Sequence, residues 1–130
     1  MTSEEIKALF AQFEQASIKL EGIECWSARE LQKLLGYSKW DNFSKVINKA
    51  KKACINAGEE LELHFANASK VIEVGNGALQ NIKDMLLTRY ACYLIAQNGD
   101  RRKAQIAFAR DYFVFDELPP AEDIKKCNEN

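Results

Sequence analysis

Histidine occurs once in these 130 residues, at His64, and proline twice, at Pro119 and Pro120. One histidine with no cysteine or carboxylate constellation beside it offers neither the ligand set of a zinc centre nor the relay of a nucleophilic triad. The four cysteines, Cys25, Cys54, Cys92 and Cys127, stand about 30 to 40 residues apart, without the short spacing of a zinc or redox motif. Reduced thiols are expected, with no metal and no cofactor. Gly75-Asn-Gly77 lacks the strand-loop-helix context and the lysine of a phosphate-binding loop. No apolar run approaches the ~20 residues of a membrane span, and no basic-then-apolar leader precedes a cleavage site. The acidic start Met1-Thr-Ser-Glu-Glu5 fits a soluble cytoplasmic protein that does not engage a membrane. These absences together predict a protein that is not an enzyme.

What is present is enough for a core. With 47% hydrophobic residues in 130, the chain has the size and composition of one small domain. Residues 1–118 are assigned to it and residues 119–130 to a polar tail or linker, since Pro119-Pro120 stops a helix and the rest is polar. Ile6, Leu9, Phe10, Phe13, Ser17 and Leu20 recur at helical spacing, with Thr2 and Glu5 as a capping box. Leu20 to Trp26 alternates around Gly22 as a short strand or hairpin ending in a buried tryptophan. Phe43, Val46, Ile47, Ala50, Ala53, Cys54 and Ala57 form a second helical stripe, closed by Gly58. Strands are expected at 61–65, 69–74 and 79–87, with Gly75-Asn-Gly77 turning a hairpin because those residues tolerate positive φ. A last helix at about Arg102 to Asp116 is apolar on most sides. The class is α+β, a single small domain of about four to five helices on a small, mostly antiparallel sheet.

Two segments carry the most information. The first is Trp26-Ser-Ala-Arg-Glu-Leu-Gln-Lys-Leu-Leu-Gly-Tyr-Ser-Lys-Trp-Asp-Asn-Phe43, two helix starts around a tight turn. Ser27 and Glu30 fit a capping box, Gly36 a left-handed helix stop, and Ser38 with Asp41 a second start. The second is Leu87-Thr-Arg-Tyr-Ala-Cys-Tyr-Leu-Ile-Ala-Gln-Asn-Gly-Asp100, a helix opened by Thr88 and closed at Asn98-Gly99. In this order and at about this spacing, the blocks resemble the amino-terminal region of the DNA-damage-inducible protein D family, which is similar to the Bro-N domain of phage antirepressors. The likeness spans roughly residues 5 to 115. It implies a bacterial or phage-derived regulatory protein of the DNA-damage response and implies no reaction. The partner so implied is DNA, or a DNA-repair, recombination or repressor protein.

The net charge of −1 is unevenly spread. Residues 31–115 hold thirteen basic and eight acidic groups, between two ends at −3 each, which permits contact with a polyanion without demanding one. Lys45, Lys49, Lys52 and Asn56 fall at i, i+4, i+7 and i+11, opposite the apolar stripe, with Lys39 and Lys51 flanking. Such a row can follow a phosphate backbone; a solvated helix face is the plainer alternative. Arg101, Arg102 and Lys103 can add to that surface if the fold brings them near. Cations at a helix amino terminus oppose the macrodipole, a cost that an anionic partner or the neighbouring Asp100 would relieve. Residues 27–57 also have the outline of a helix-turn-helix. Gln32, Asn42 and Lys45 sit where such a unit buries small or apolar residues, so a plain helical pair packed on a sheet stays open. Tyr37 and Trp40 can stack on bases or cover the seam between helices. Arg89 can bind phosphate or pair with Asp84 or Glu73. Finally, Phe108, Tyr112, Phe113 and Phe115 are too many aromatics for one helix to hide against a single core. They are the candidate interface for a partner protein of antirepressor type or for a homo-oligomer.

Overall fold

The computed structural model describes residues 2–117, with side chains through Phe113. It is α+β, as the patterning predicts. Six helices accompany one four-stranded antiparallel sheet of order β1-β2-β4-β3.

Helix α1 (Ser3–Ala16) starts on the expected capping box, Thr2 accepting from the Glu5 amide while the Glu5 carboxylate accepts from the Thr2 amide. It packs more sparingly than its periodicity predicts. Phe13 is fully buried and Leu9 half-buried, while Ile6 and Phe10 stay exposed. The helix ends at Ala16, so Leu20 belongs to the next element. Strands β1 (Ile18–Leu20) and β2 (Ile23–Ser27) form the tight hairpin around Glu21-Gly22, both with positive φ. Trp26 is buried at its end, as expected, and its indole N–H donates to the Phe13 carbonyl at 2.9 Å.

Helix α2 (Ala28–Leu34) begins at Ser27 and stops at Gly36, whose φ of +80° lets Tyr37 N–H reach the Gln32 carbonyl and Gly36 N–H the Lys33 carbonyl. That is the paired bonding of a Schellman stop. Only half of the predicted Ser27–Glu30 box forms. Ser27 accepts from the Glu30 amide, but the Glu30 carboxylate turns to Lys70 at 2.6 Å. Helix α3 (Trp40–Asn56) starts one residue later than predicted: its cap is Lys39, without a side-chain bond, and Ser38 does not cap it. Its apolar stripe is buried at Phe43, Val46, Ile47, Ala50 and Cys54, and Gly58 closes it with positive φ.

The segment predicted as a strand at 61–65 is the helical turn α4 (Leu61–His64), and the following strand takes Phe65. Period two would bury Leu63 with its neighbours. Instead Leu63 is exposed, while Leu61 and Phe65, four apart, face inward. Strands β3 (Phe65–Val74) and β4 (Ala78–Thr88) make a long hairpin, paired from Phe65↔Leu87 to Val74↔Ala78 across the expected Gly75-Asn-Gly77 turn. Thr88 caps helix α5 (Arg89–Gln97), which Asn98 ends, and α6 (Ala104–Glu117) completes the described chain. The predicted tail at 119–130, with Cys127, lies outside the described residues, as does the Phe115 side chain.

The aromatics of α6 find their cover inside the domain. Phe13, Trp26, Phe108, Tyr112 and Phe113 form one cluster, with centroids 5.0–6.4 Å apart and mostly edge-to-face, the arrangement ring quadrupoles favour. Phe113 and Tyr112 are buried and Phe108 is half-buried. Tyr112 and Phe113 are therefore core residues and not a partner interface. Two layers close over α6, Phe13 from α1 and Trp26 from β2, and not the single core that its apolar pattern implies.

Candidate nucleic-acid interface

The buried face of α3 dictates where its lysines go. Because Phe43, Val46, Ile47, Ala50 and Cys54 pack inward, Lys45, Lys49 and Lys52 emerge on the opposite side, all exposed, while Lys51 at the border is half-buried. Among the described residues none of Lys39, Lys45, Lys49 and Lys52 is paired with a carboxylate. Other cations are engaged. Lys70 and Lys33 both address Glu30, at 2.6 and 3.9 Å. The Lys70 hydrogen bond, more than the burial that opposes it, holds the Glu30 carboxyl below its ordinary value.

The fold brings the 101–103 cluster to the start of α3 and not alongside its lysine row. Lys103 Nζ donates to the Gly36 carbonyl at 3.0 Å and lies 5.0 Å over the Tyr37 ring. The Asp100 amide donates to the Tyr37 hydroxyl at 2.9 Å. Arg102 is held by Asp100 through its backbone and side chain at 3.0–3.1 Å. This lowers the aspartate's pKa and raises the arginine's. Asp100 thus relieves the charge at the amino terminus of α6. Arg101 stays exposed. Of these cations Lys103 is placed on the α2–α3 turn, Lys39 is the residue that precedes α3, and Arg101 lies on the exposed segment between Asp100 and Lys103, both of which touch that turn.

Tyr37 and Trp40 are half-buried seam covers. Tyr37 tilts against Phe43 at 5.2 Å, and Trp40 packs 6.1 Å from Phe43 with the Arg29 guanidinium 3.8 Å over its ring. Arg29 also donates to the Lys83 carbonyl at 2.7 Å. Sequence reasoning passed over it because nothing local links residues 29, 40 and 83. Gln32, awkward for a helix-turn-helix, donates its amide to the Tyr37 carbonyl at 2.9 Å and so belongs to the turn. Helix α3 takes its packing mainly from α5, and Asn42 and Lys45 are exposed. The α2–α3 unit is therefore a helical pair braced by the rest of the domain.

Arg89 pairs with Glu24, at 2.9 and 3.1 Å, and not with Asp84 or Glu73. Its guanidinium also sits 4.9–5.7 Å from the rings of Trp26, Tyr112 and Phe113, a structural setting. Asp84, buried, accepts from Ser27 Oγ at 2.6 Å and from the amides of Arg29 and Met85 at 3.0 and 2.7 Å. It anchors the start of α2 to β4. His64 shares a 2.7 Å hydrogen bond with Thr88 Oγ1 and packs on Tyr90. Cys25, Cys54 and Cys92 are buried, and burial raises the thiol pKa of Cys25 and Cys54, which leaves those two poor nucleophiles. Among the described residues no three His, Cys, Asp or Glu side chains stand together as a metal would require, and no helix is long and apolar enough to cross a membrane.

Residues 16–114 match the BRO family, N-terminal domain. The chain belongs to this family. The match takes in the sheet, α2 to α5 and most of α6, and leaves out nearly all of α1. The BRO-family domain is also 42% identical over 117 residues to DNA damage-inducible protein D of Escherichia coli (strain K12). That alignment covers 87% of this chain and 43% of the relative, so the chain spans less than half the length of the curated protein it matches. No solved structure matches it.

Proposed function

We propose that this BRO-family domain is a non-catalytic regulatory module of the bacterial DNA-damage response that binds DNA or a DNA-repair nucleoprotein assembly. The likeness to DNA damage-inducible protein D supports the setting. The observation that carries the binding is the row Lys45, Lys49 and Lys52, exposed on one face of α3 and unpaired among the described residues. Lys39 continues it at the start of α3, with Arg101 and Lys103 on the segment that touches the α2–α3 turn. Ammonium groups spaced along a rigid helix neutralise successive phosphates and release counterions, which gives affinity without base reading. Lys51 and Arg102 contribute less, one being half-buried and the other held by Asp100.

Fluorescence anisotropy of labelled single- and double-stranded DNA at two salt concentrations tests this reading. Binding is expected to weaken steeply with salt, and K49E/K52E to weaken it by about tenfold or more, since two phosphate contacts become repulsions. Unchanged affinity in that variant would remove the surface proposed. The rival reading, a protein-interaction module without DNA contact, loses the support of Tyr112 and Phe113.

A further inference from the structure

Strands β3 and β4 leave the body of the domain. Strand β2 pairs with β4 over Leu86–Thr88, so among the described residues the two long strands have only each other in the sheet from Ser69 to Lys83. Two strands alone bury little and are marginally stable. Val71 is 59% exposed and Leu79 72% exposed on one face, and Val74 is 37% exposed on the other, where Ile72 and Ile82 are half-buried. Strand β3 also forms the edge of the sheet for its whole length. Natural edges are blunted by proline, bulges or repeated charge. From Phe65 to Val74 there is no proline and no break in register, and the charges are Lys70 and Glu73. Lys70 is drawn back onto Glu30.

We infer that this edge is a self-association surface, on which β3 pairs antiparallel with β3 of a second copy of the chain. The arm's own charges select that occupant. From Phe65 to Thr88 they are Lys70, Lys83, Glu73 and Asp84, a balanced set that neither draws a polyanion nor repels an identical arm. A two-fold axis normal to the sheet centres the pairing on one residue and its copy. Centring on Lys70 or Glu73 would set like charges face to face, which is destabilising. Centring on Ile72 sets Glu73 against Val71 and matches no charge. Centring on Val71 sets Val71 against itself and Glu73 against Ser69, whose neighbour across β4 is Lys83. In that register each Glu73 faces the other copy's Ser69–Lys83 row, and Ala68 meets Val74. The inference is independent of the DNA reading, because no phosphate-facing lysine of α3 takes part.

Sedimentation of the full chain without DNA is the test, with Cys127→Ser to remove the cysteine beyond the described residues. A reversible dimer is expected at micromolar concentration, and Val71→Lys should weaken it by about tenfold or more while leaving the far-UV circular dichroism unchanged. In the Cys127→Ser background, mild oxidation of Val71→Cys should give a covalent dimer. Ser69→Cys, displaced from its own copy in this register, should give far less. A monomer at every concentration, a dimer indifferent to Val71→Lys, or equal crosslinking of the two cysteine variants would each overturn the proposal.

Discussion

Helix α6 and the outer part of the β3–β4 hairpin, Ser69 to Lys83, are both rich in apolar side chains, yet one closes the core and the other is largely exposed. The difference lies in how many layers meet each element. Phe113 packs against Phe13, Trp26 and Tyr112, and the Arg89 guanidinium, paired with Glu24, lies 5.7 Å from its ring. Among the described residues no third strand joins the hairpin from Ser69 to Lys83. An apolar count made along the chain treats the two alike. Burial is decided by which elements arrive from elsewhere.

The sharpest way to break the comparison is to truncate one apolar side chain in each region. Phe113→Ala empties a fully buried ring site and should cost about 3–5 kcal/mol in urea denaturation, by lost transfer energy and the cavity left behind. Leu79→Ala removes a side chain already in water and should stay within about 0.5 kcal/mol for the monomer. Equal effects would mean that the arm is packed in solution as the core is.

That contrast also marks what was legible in the residues. Most helix starts and stops were, because their chemistry is local: Thr2, Thr88, Gly36, Gly58 and the Gly75–Gly77 turn all act where the sequence places them, whereas Ser38 does not cap α3. The α3 lysine row was legible too, since helical period alone puts it opposite the buried stripe. The packing of α6 was not, because Phe13 and Trp26 lie about 90 residues away in the chain and nothing in α6 announces them. Alternation at Leu61–Phe65 misled because the ends of a four-residue step also share a helix face. Arg29 over Trp40 and the approach of Lys103 to Gly36 likewise depend on long-range contacts. The sequence therefore located the candidate cations but not which of them touch the α2–α3 turn.

The next largest effect is expected at the junction between the two regions. Asp84 is 8% exposed and accepts three hydrogen bonds, two of them from the start of α2. Asp84→Ala leaves the Ser27 hydroxyl and the Arg29 amide without their acceptor, and should cost about 2–3 kcal/mol. Urea titration followed by tryptophan fluorescence measures it, with Trp26 beside the site reporting. A loss below that of Leu79→Ala would show that the junction does not hold α2.

Within the core, Tyr112 offers a pH test. Burial first, and then its hydrogen bond to the Glu14 carboxylate, push its phenol well above the ordinary value of 10.0. A raised folded pKa gives stability that is whole below the unfolded value and is lost as pH rises beyond it. The native protein should thus lose stability above pH 10, and Tyr112→Phe should lose less of it there. At neutral pH that variant should be about 1–2 kcal/mol weaker, for the lost bond to a charged acceptor on the surface. An ultraviolet titration in which all four tyrosines ionise together would contradict the assignment.

The smallest effect distinguishes arm from core most cleanly. Lys70 holds Glu30 below the ordinary glutamate value of 4.5, chiefly by their hydrogen bond. A depressed folded pKa gives stability that is present above the unfolded value and lost as pH falls through the lowered one. Both side chains are partly exposed, so solvent screening limits the pair to about 0.5 kcal/mol. Glu30→Gln should flatten that part of the acid limb, and the two proteins should converge at lower pH. Because the bond ties β3 to α2, hydrogen exchange should quicken between Ser69 and Lys83 in the variant and stay unchanged around Phe113. Faster exchange in both places would mean that the arm and the aromatic core open as one unit, and that the difference between them is one of exposure alone.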